Sequence, residues 1–389
     1  MKWSEHLKKQ LIQNKEIKFN KKSIVKCLYR PFIYQYLYFS NKFCDRLSFN
    51  KFLFPNENSE NLTLNFQVST PRRYTDCFVS NKMIDLNFTV IAGIVSVPLY
   101  VYENGEKKLN ITDYAIKEFQ KKYKDKATAE NIFAYCHAVL SSPKYQKEYE
   151  ENLKIDYPRI PFYKNFDRFV ELGKRLIKLQ TEFENFDCHA VARNDGEENS
   201  ARNDGSGVLS KQESHCEINQ TSHYEANAEV IQKIDCHADN NNNVALAHCV
   251  NNSKKSAQGV STPCYSATEK INLKIEKDFK YMPEDFSMIK LNKEKGIIIF
   301  DGKNRIENIP KKAFDYKIGT RSALDWIIDY YKPKKLNPQK ELHHKTLIEN
   351  GLNSYDYKNI REYLFELIPK VINISVETVD IFKELEKLN

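Results

Sequence analysis

The sequence predicts a mixed α/β protein, of the α+β kind, in which short strands pack with helices around a long disordered insertion. Three observations predict it. Apolar residues alternate at a spacing of two in the first hundred residues and recur at helical spacing after residue 112. Of 389 residues, 23 are Tyr, 23 are Phe and only 11 are Gly, a balance that builds cores rather than low-complexity polymer. Residues 187–268 depart from both patterns. They hold only Tyr224 and Tyr265 among all the aromatics, and carry 6 basic against 11 acidic residues.

The elements follow in order. Tyr34, Tyr36 and Tyr38 mark a strand after the basic-aromatic stretch that begins at Ser23. Leu62, Leu64, Phe66 and Val68 alternate with Thr63, Asn65 and Gln67, which predicts a half-buried strand. Pro71-Arg72-Arg73 reads as a basic turn. Phe88 to Tyr102 reads as one or two buried strands ending near the turn pair Asn104-Gly105. At fifteen residues, broken by Gly93 and Pro98, that run is too short for a membrane span of roughly 20 residues.

Thr112 is placed as an N-cap, with Ile111 and Ile116 as a hydrophobic staple. Thr128 caps a second helix with Ile132, Phe133, Cys136, Val139 and Leu140 inward. Ser142-Pro143 opens a third, proline standing at the first helical position. Phe166 to Phe183 marks a long amphipathic helix. His137 has apolar neighbours and is read as a packed core histidine rather than a base.

Beyond the insertion, Gly296–Phe300 and Arg305–Ile309 flank Asp301-Gly302 as a hairpin. Ser322 with Asp325 makes a capping-box pattern. Leu336 to Asn353 is polar and reads as loop. Two C-terminal helical stretches are expected to meet at Pro369.

Two folded blocks, 1–186 and 269–389, are thus expected on either side of a disordered 187–268. The insertion repeats itself: Ala192-Arg193-Asn194-Asp195-Gly196 returns as Ala201-Arg202-Asn203-Asp204-Gly205. Such a stretch buries too little apolar surface to offset chain entropy. It also holds the adjacent pairs Cys188-His189, His215-Cys216, Cys236-His237 and His248-Cys249. Thiolate and imidazole are zinc ligands, but adjacent ligands chelate poorly, and duplication of an Asp-Cys-His-Ala unit explains the pairs. No metal is expected. Nine cysteines without a CxxC indicate free thiols in a reducing cytoplasm, and the N-terminus has no apolar signal segment.

No catalytic residue is assigned and no cofactor is expected. GxxxxGK[ST], GxGxxG and the Asn/Asp-Pro-Pro-Tyr tetrapeptide of amino-methylating enzymes are absent. Asp278-Phe279-Lys280 is only a fragment of a nuclease pattern. Outside the insertion, 54 basic residues face 41 acidic ones, a balance that suits nucleic acid without requiring it.

An ordered series of short motifs adds to this. It runs through Leu28-Tyr29-Arg30-Pro31-Phe32, Ser80-Asn81-Lys82-Met83-Ile84-Asp85-Leu86, Val97-Pro98-Leu99-Tyr100-Val101-Tyr102 and Asn131-Ile132-Phe133-Ala134-Tyr135. Tyr157-Pro158-Arg159-Ile160-Pro161-Phe162, Ser322-Ala323-Leu324-Asp325-Trp326-Ile327 and Val371-Ile372-Asn373-Ile374-Ser375 follow. The series resembles the C-terminal specificity region of type ISP restriction-modification enzymes. Those enzymes join a nuclease, an ATP-driven translocase, an adenine methyltransferase and a target-recognition domain in one polypeptide, and this chain is similar to the last part only. The resemblance implies double-stranded DNA as partner, with Lys and Arg on phosphates and other side chains at base edges. Arg30, Arg72, Arg73, Asn81 and Lys82, which lie in or beside irregular segments, are the expected DNA contacts. Two other readings stand beside this one: a non-functional truncated remnant, and a docking protein for a separate methyltransferase-motor polypeptide.

Overall fold

The computed structural model describes residues 18–40, 50–67, 77–89, 94–186, 271–281, 289–332 and 357–388, with isolated positions between 9 and 16, Cys44, and the backbone of 243–245. Strands β1 (Ile24–Arg30) and β2 (Ile33–Tyr38) form an antiparallel hairpin. Its turn is Pro31-Phe32, where Phe32 takes a left-handed φ of 61°. That conformation costs a bulky residue energy. It is held because the Phe32 ring is fully buried against Phe78 and Phe183, at centroid distances of 5.6 and 5.2 Å.

After the short helix α1 (Asn50–Leu53), β3 (Thr63–Phe66) runs between β4 (Phe78–Ser80) and β5 (Val95–Pro98). The expected half-buried strand is corrected here, because β3 is central and buried on both faces. Its polar residues are satisfied inside the protein. Asn65 donates to the Phe78 carbonyl at 3.0 Å and accepts from the Ser96 hydroxyl at 2.8 Å. Strands β6 (Tyr100–Glu103) and β7 (Glu106–Leu109) form the hairpin expected at Asn104-Gly105, with φ of 50° and 84° at the two turn residues.

The helices begin as the caps dictate. The Thr112 hydroxyl accepts from the Ala115 amide at the start of α2 (Asp113–Tyr123). Thr128 does the same for Asn131 in α3 (Ala129–Ser141). Ser142 precedes Pro143 in α4 (Pro143–Glu148), and α5 (Glu150–Ile155) follows after Tyr149. Helix α3 is buried all round from Ile132 to Ser141. Within it His137 is fully buried, as expected of a core histidine, with Nδ1 3.4 Å from the Ser141 hydroxyl. Strand β8 (Arg159–Pro161) leads into α6 (Phe166–Thr181), which crosses α3 so closely that Gly173 faces the Ala134 carbonyl.

Most of the insertion at 187–268, with its Cys/His pairs, lies outside the described residues. Within it only the backbone of residues 243–245 is described. Asn243–Ala245 forms β9, antiparallel to β8.

In the second block β10 (Lys274–Glu276), β11 (Lys290–Asn292), β12 (Ile297–Ile299) and β13 (Arg305–Glu307) form an antiparallel sheet in the order β10-β13-β12-β11. A two-stranded ladder, β14 (Lys317–Ile318) with β15 (Arg321–Ser322), follows. Helix α7 (Ala323–Tyr331) starts on the expected Ser322/Asp325 capping box. Leu336 to Asn353 lies outside the described residues. The two helices expected at Pro369 are a single helix, α8 (Tyr357–Leu388). Proline removes one intrahelical bond and costs about 3 kcal/mol in a helix interior. Here Leu367, Ile368, Val371 and Ile372 are buried around it, and that burial outweighs the loss.

One hydrophobic cluster spans both blocks, from Leu28 to Leu385. Polar bonds tie the same seam. Gln180 accepts from the Val79 amide at 2.8 Å and donates to the Tyr316 hydroxyl at 3.1 Å. Arg175 forks onto Glu377 of α8. No helix among the described residues is long and apolar enough to cross a membrane.

Candidate nucleic-acid interface

The segment 81–87 positions three of the relevant side chains. It runs beside β1, where the Leu28 amide donates to the Met83 carbonyl at 2.8 Å and Leu28 and Ile84 form a parallel bridge. The pairing sets Asp85 against Arg30. The guanidinium donates to the Asp85 carboxylate at 2.9 Å and to its neighbour's carbonyl, Tyr29 O, at 2.9 Å. It also lies over the Tyr29 ring, 4.2 Å from the centroid. With 21% of its side chain exposed, Arg30 is a half-buried, pre-oriented cation. Asp85 was not singled out in the sequence, since 55 residues separate it from its partner.

Asn81 and Lys82 turn the chain out of β4. The Ser80 hydroxyl accepts from the Lys82 amide at 3.0 Å and donates to its carbonyl at 2.7 Å, which fixes the turn. Both residues line an open groove of about 570 Å³, together with Glu57, Glu60, Tyr100, Lys107 and Glu130. The floor is built by Asn61, a residue the sequence did not mark. Its amide donates to the Leu53 and Tyr100 carbonyls at 3.0 and 2.7 Å, and its oxygen accepts from the Tyr100 amide at 3.0 Å. Tyr100 donates to the Glu130 carboxylate at 2.8 Å and lies under the Lys107 ammonium. Burial, and then the Glu130 carboxylate, push its phenol pKa up, so it stays a neutral donor.

Three carboxylates against two ammonium groups make this groove a poor channel for phosphate. Its amides and hydroxyls suit polar recognition instead. Arg72 and Arg73 lie outside the described residues. Asn65 pairs with Phe78 and Thr63 with Ser80, so Asn81 and Lys82 follow β4 at the end of the sheet where β3 begins. Of the expected contacts that the structure describes, Asn81 and Lys82 share one groove, and Arg30 is clamped between the hairpin and the 81–87 segment.

Among the described residues no group of three or more His, Cys, Asp or Glu could hold a metal. The other buried charge, Arg361 with Asp301, is consumed inside the fold.

Comparison with curated proteins finds no match. Solved structures do match. The chain is similar to the protein of a cryo-electron-microscopy DrdV–DNA complex, with TM-score 0.66 and 24% identity over 96% of this chain and 29% of that one. It is also similar to a nuclease-deletion mutant of the Type ISP restriction-modification enzyme LlaGI, in complex with a DNA substrate mimic. There the TM-score is 0.59 and the identity 21%, covering 98% of this chain and 26% of that chain. A third likeness is to the ATP-dependent Type ISP restriction-modification enzyme LlaBIII bound to DNA, with TM-score 0.64 and 18% identity over all of this chain and 20% of that one. The chain thus spans less than a third of the length of these relatives. Identities this low establish a shared fold. The family described as the Type ISP C-terminal specificity domain matches residues 1–367, across both blocks and the insertion between them. Because that match takes in the strands, the helical core and the seam that joins them, the chain belongs to the Type ISP C-terminal specificity domain family.

Proposed function

We propose that the chain recognises a sequence in double-stranded DNA as the specificity element of a Type ISP restriction-modification system. Family membership over residues 1–367 carries the reading. The excess of basic residues outside 187–268 supports it. In this reading cleavage, ATP-driven movement and methyl transfer belong to a methyltransferase-motor polypeptide, and the chain itself turns nothing over. The insertion interrupts one recognition domain and is not a separate module.

The mechanism divides labour between charge and geometry. Lysines and arginines displace counterions from the phosphates and set the register on the duplex. Side chains at base edges then choose the sequence. Arg30, already stacked and paired, serves as a rigid point of reference between the hairpin and the 81–87 segment. Arg72 and Arg73 supply backbone contacts, and Asn81 and Lys82 present an amide and an ammonium at the groove rim.

Fluorescence anisotropy with a labelled duplex tests this. Replacing Arg72 and Arg73 by Ala flattens the slope of log affinity against log salt by up to roughly two units if both touch phosphates. If they read bases instead, discrimination falls by about 1–3 kcal/mol per lost bidentate pair while the slope holds. Unchanged affinity, slope and discrimination would remove both from the interface.

A further inference from the structure

Helix α2 carries a feature that the DNA-recognition reading has not used. Tyr114, Lys117 and Lys121 recur at helical spacing and form one stripe. The opposite face buries Ala115 and Phe119. Tyr114 is 43% exposed and both lysines are exposed. The stripe runs on into Lys124, the C-cap residue, also exposed. Beyond it, the Tyr123 hydroxyl donates to the Tyr163 carbonyl at 2.7 Å, which ties the segment bearing exposed Lys164 to the same end of the helix.

Two observations set this apart from an ordinary solvated face. Lys124 has φ 57° and ψ −143°, a backbone conformation that belongs to glycine. A lysine there is held against its own conformational preference. Second, among the described residues Lys117, Lys124 and Lys164 enter no ion pair. Within the stripe only Lys121 has an acidic partner, Glu118, and beside it Lys126 pairs with Asp167. The partial negative charge of a helix C-terminus accounts for a lysine in the last turn. It accounts neither for Lys117, a turn earlier, nor for Lys164. Lys117 and Lys121 are about 6 Å apart along the helix axis. Two steps of one DNA strand span about 7 Å.

We propose that the Tyr114–Lys117–Lys121–Lys124 stripe, with Lys164 beyond it, tracks the phosphate backbone of the bound duplex. The inference rests on the DNA-recognition reading and assigns that reading a second contact surface, apart from the β3–β5 sheet.

The test uses the full chain and a fluorescein-labelled mixed-sequence duplex titrated across salt concentrations. Lys117→Gln with Lys121→Gln flattens the salt slope by up to about 1.8 units, at about 0.9 per lost phosphate. Lys124→Gly flattens it by about 0.9 while thermal unfolding occurs at the same or a higher temperature, since glycine suits that backbone. If the unmodified chain binds steeply and both variants keep its slope, the stripe is a solvated face and the inference fails alone. If the unmodified chain does not bind the duplex at low salt, the DNA reading fails and the inference with it.

Discussion

Among the described residues Arg361 is the largest side chain with no exposed surface, and its surroundings explain how a charge survives there. It meets Asp301 at 2.8 Å and donates to the Tyr281 and Phe279 carbonyls at 2.8 and 2.9 Å. Asn304 donates to both Asp301 oxygens, at 2.8 Å each. Burial works against the Asp301 anion. Hydrogen bonds from the Lys303 amide, Asn304 and Arg361 nevertheless hold its carboxyl below the usual carboxylate range. Arg361→Met leaves that carboxylate buried and unpaired, so unfolding in urea is expected to show a loss of about 3–5 kcal/mol. Adding Asp301→Asn should recover part of it. A loss under about 1 kcal/mol in the single variant would mean the pair is not closed to water. His137 makes the matching pH argument. Burial lowers its pKa to about 3, against a smaller upward pull from Gln180. The unfolded chain then binds a proton near pH 6.5 that the folded chain refuses. Stability from this group is complete above about pH 6.5 and falls as pH drops toward 3, by up to about 1.4 kcal/mol per unit. His137→Gln should remove that part of the slope between pH 6.5 and 5, read by denaturation at fixed pH values. An identical slope would contradict the assignment.

Elements were legible where their causes are local. Thr112, Thr128, Ser142 and Ser322 announce helix starts because a side-chain oxygen needs only the amides one turn on. Asn104-Gly105 announces its hairpin because both positions need positive φ. What misled was decided by packing. The alternation in β3 looks like one wet face, yet neighbouring strands and the Asn65 amide close it. Pro369 looks like a stop, yet the core around it holds the helix together. Gly173 shows packing at its tightest. A Cβ there would stand 2.0 Å from the Ala134 carbonyl oxygen, where α6 crosses α3. Gly173→Ala should therefore destabilise by about 3 kcal/mol, the upper part of the range for overpacking, although alanine is the better helix former. Thermal unfolding checks this, and a stabilised variant would show that the helices can separate at no cost.

At the scale of the whole molecule, the two blocks flanking the insertion share one core, and Arg30, Asn81 and Lys82 all lie in the N-terminal block. That arrangement explains why the interface was only partly legible. Arginines, lysines and asparagines in irregular segments can be picked out one by one. Nothing in the sequence says that Arg30 is clamped by Asp85, or that Asn81 and Lys82 share a groove with three carboxylates. Neither does spacing along the chain say that Lys124 occupies a position made for glycine. The ordered motifs pointed to the family, and the family match now spans residues 1–367. What the account rests on is that this chain grips duplex DNA by its phosphates. The most direct test is the affinity of the full chain for a mixed-sequence duplex, measured by anisotropy from low to moderate salt. The account predicts binding at low salt whose logarithm falls linearly with log salt, at about 0.9 units per phosphate contact. A demonstrably folded chain that leaves the duplex free at the lowest salt would contradict it.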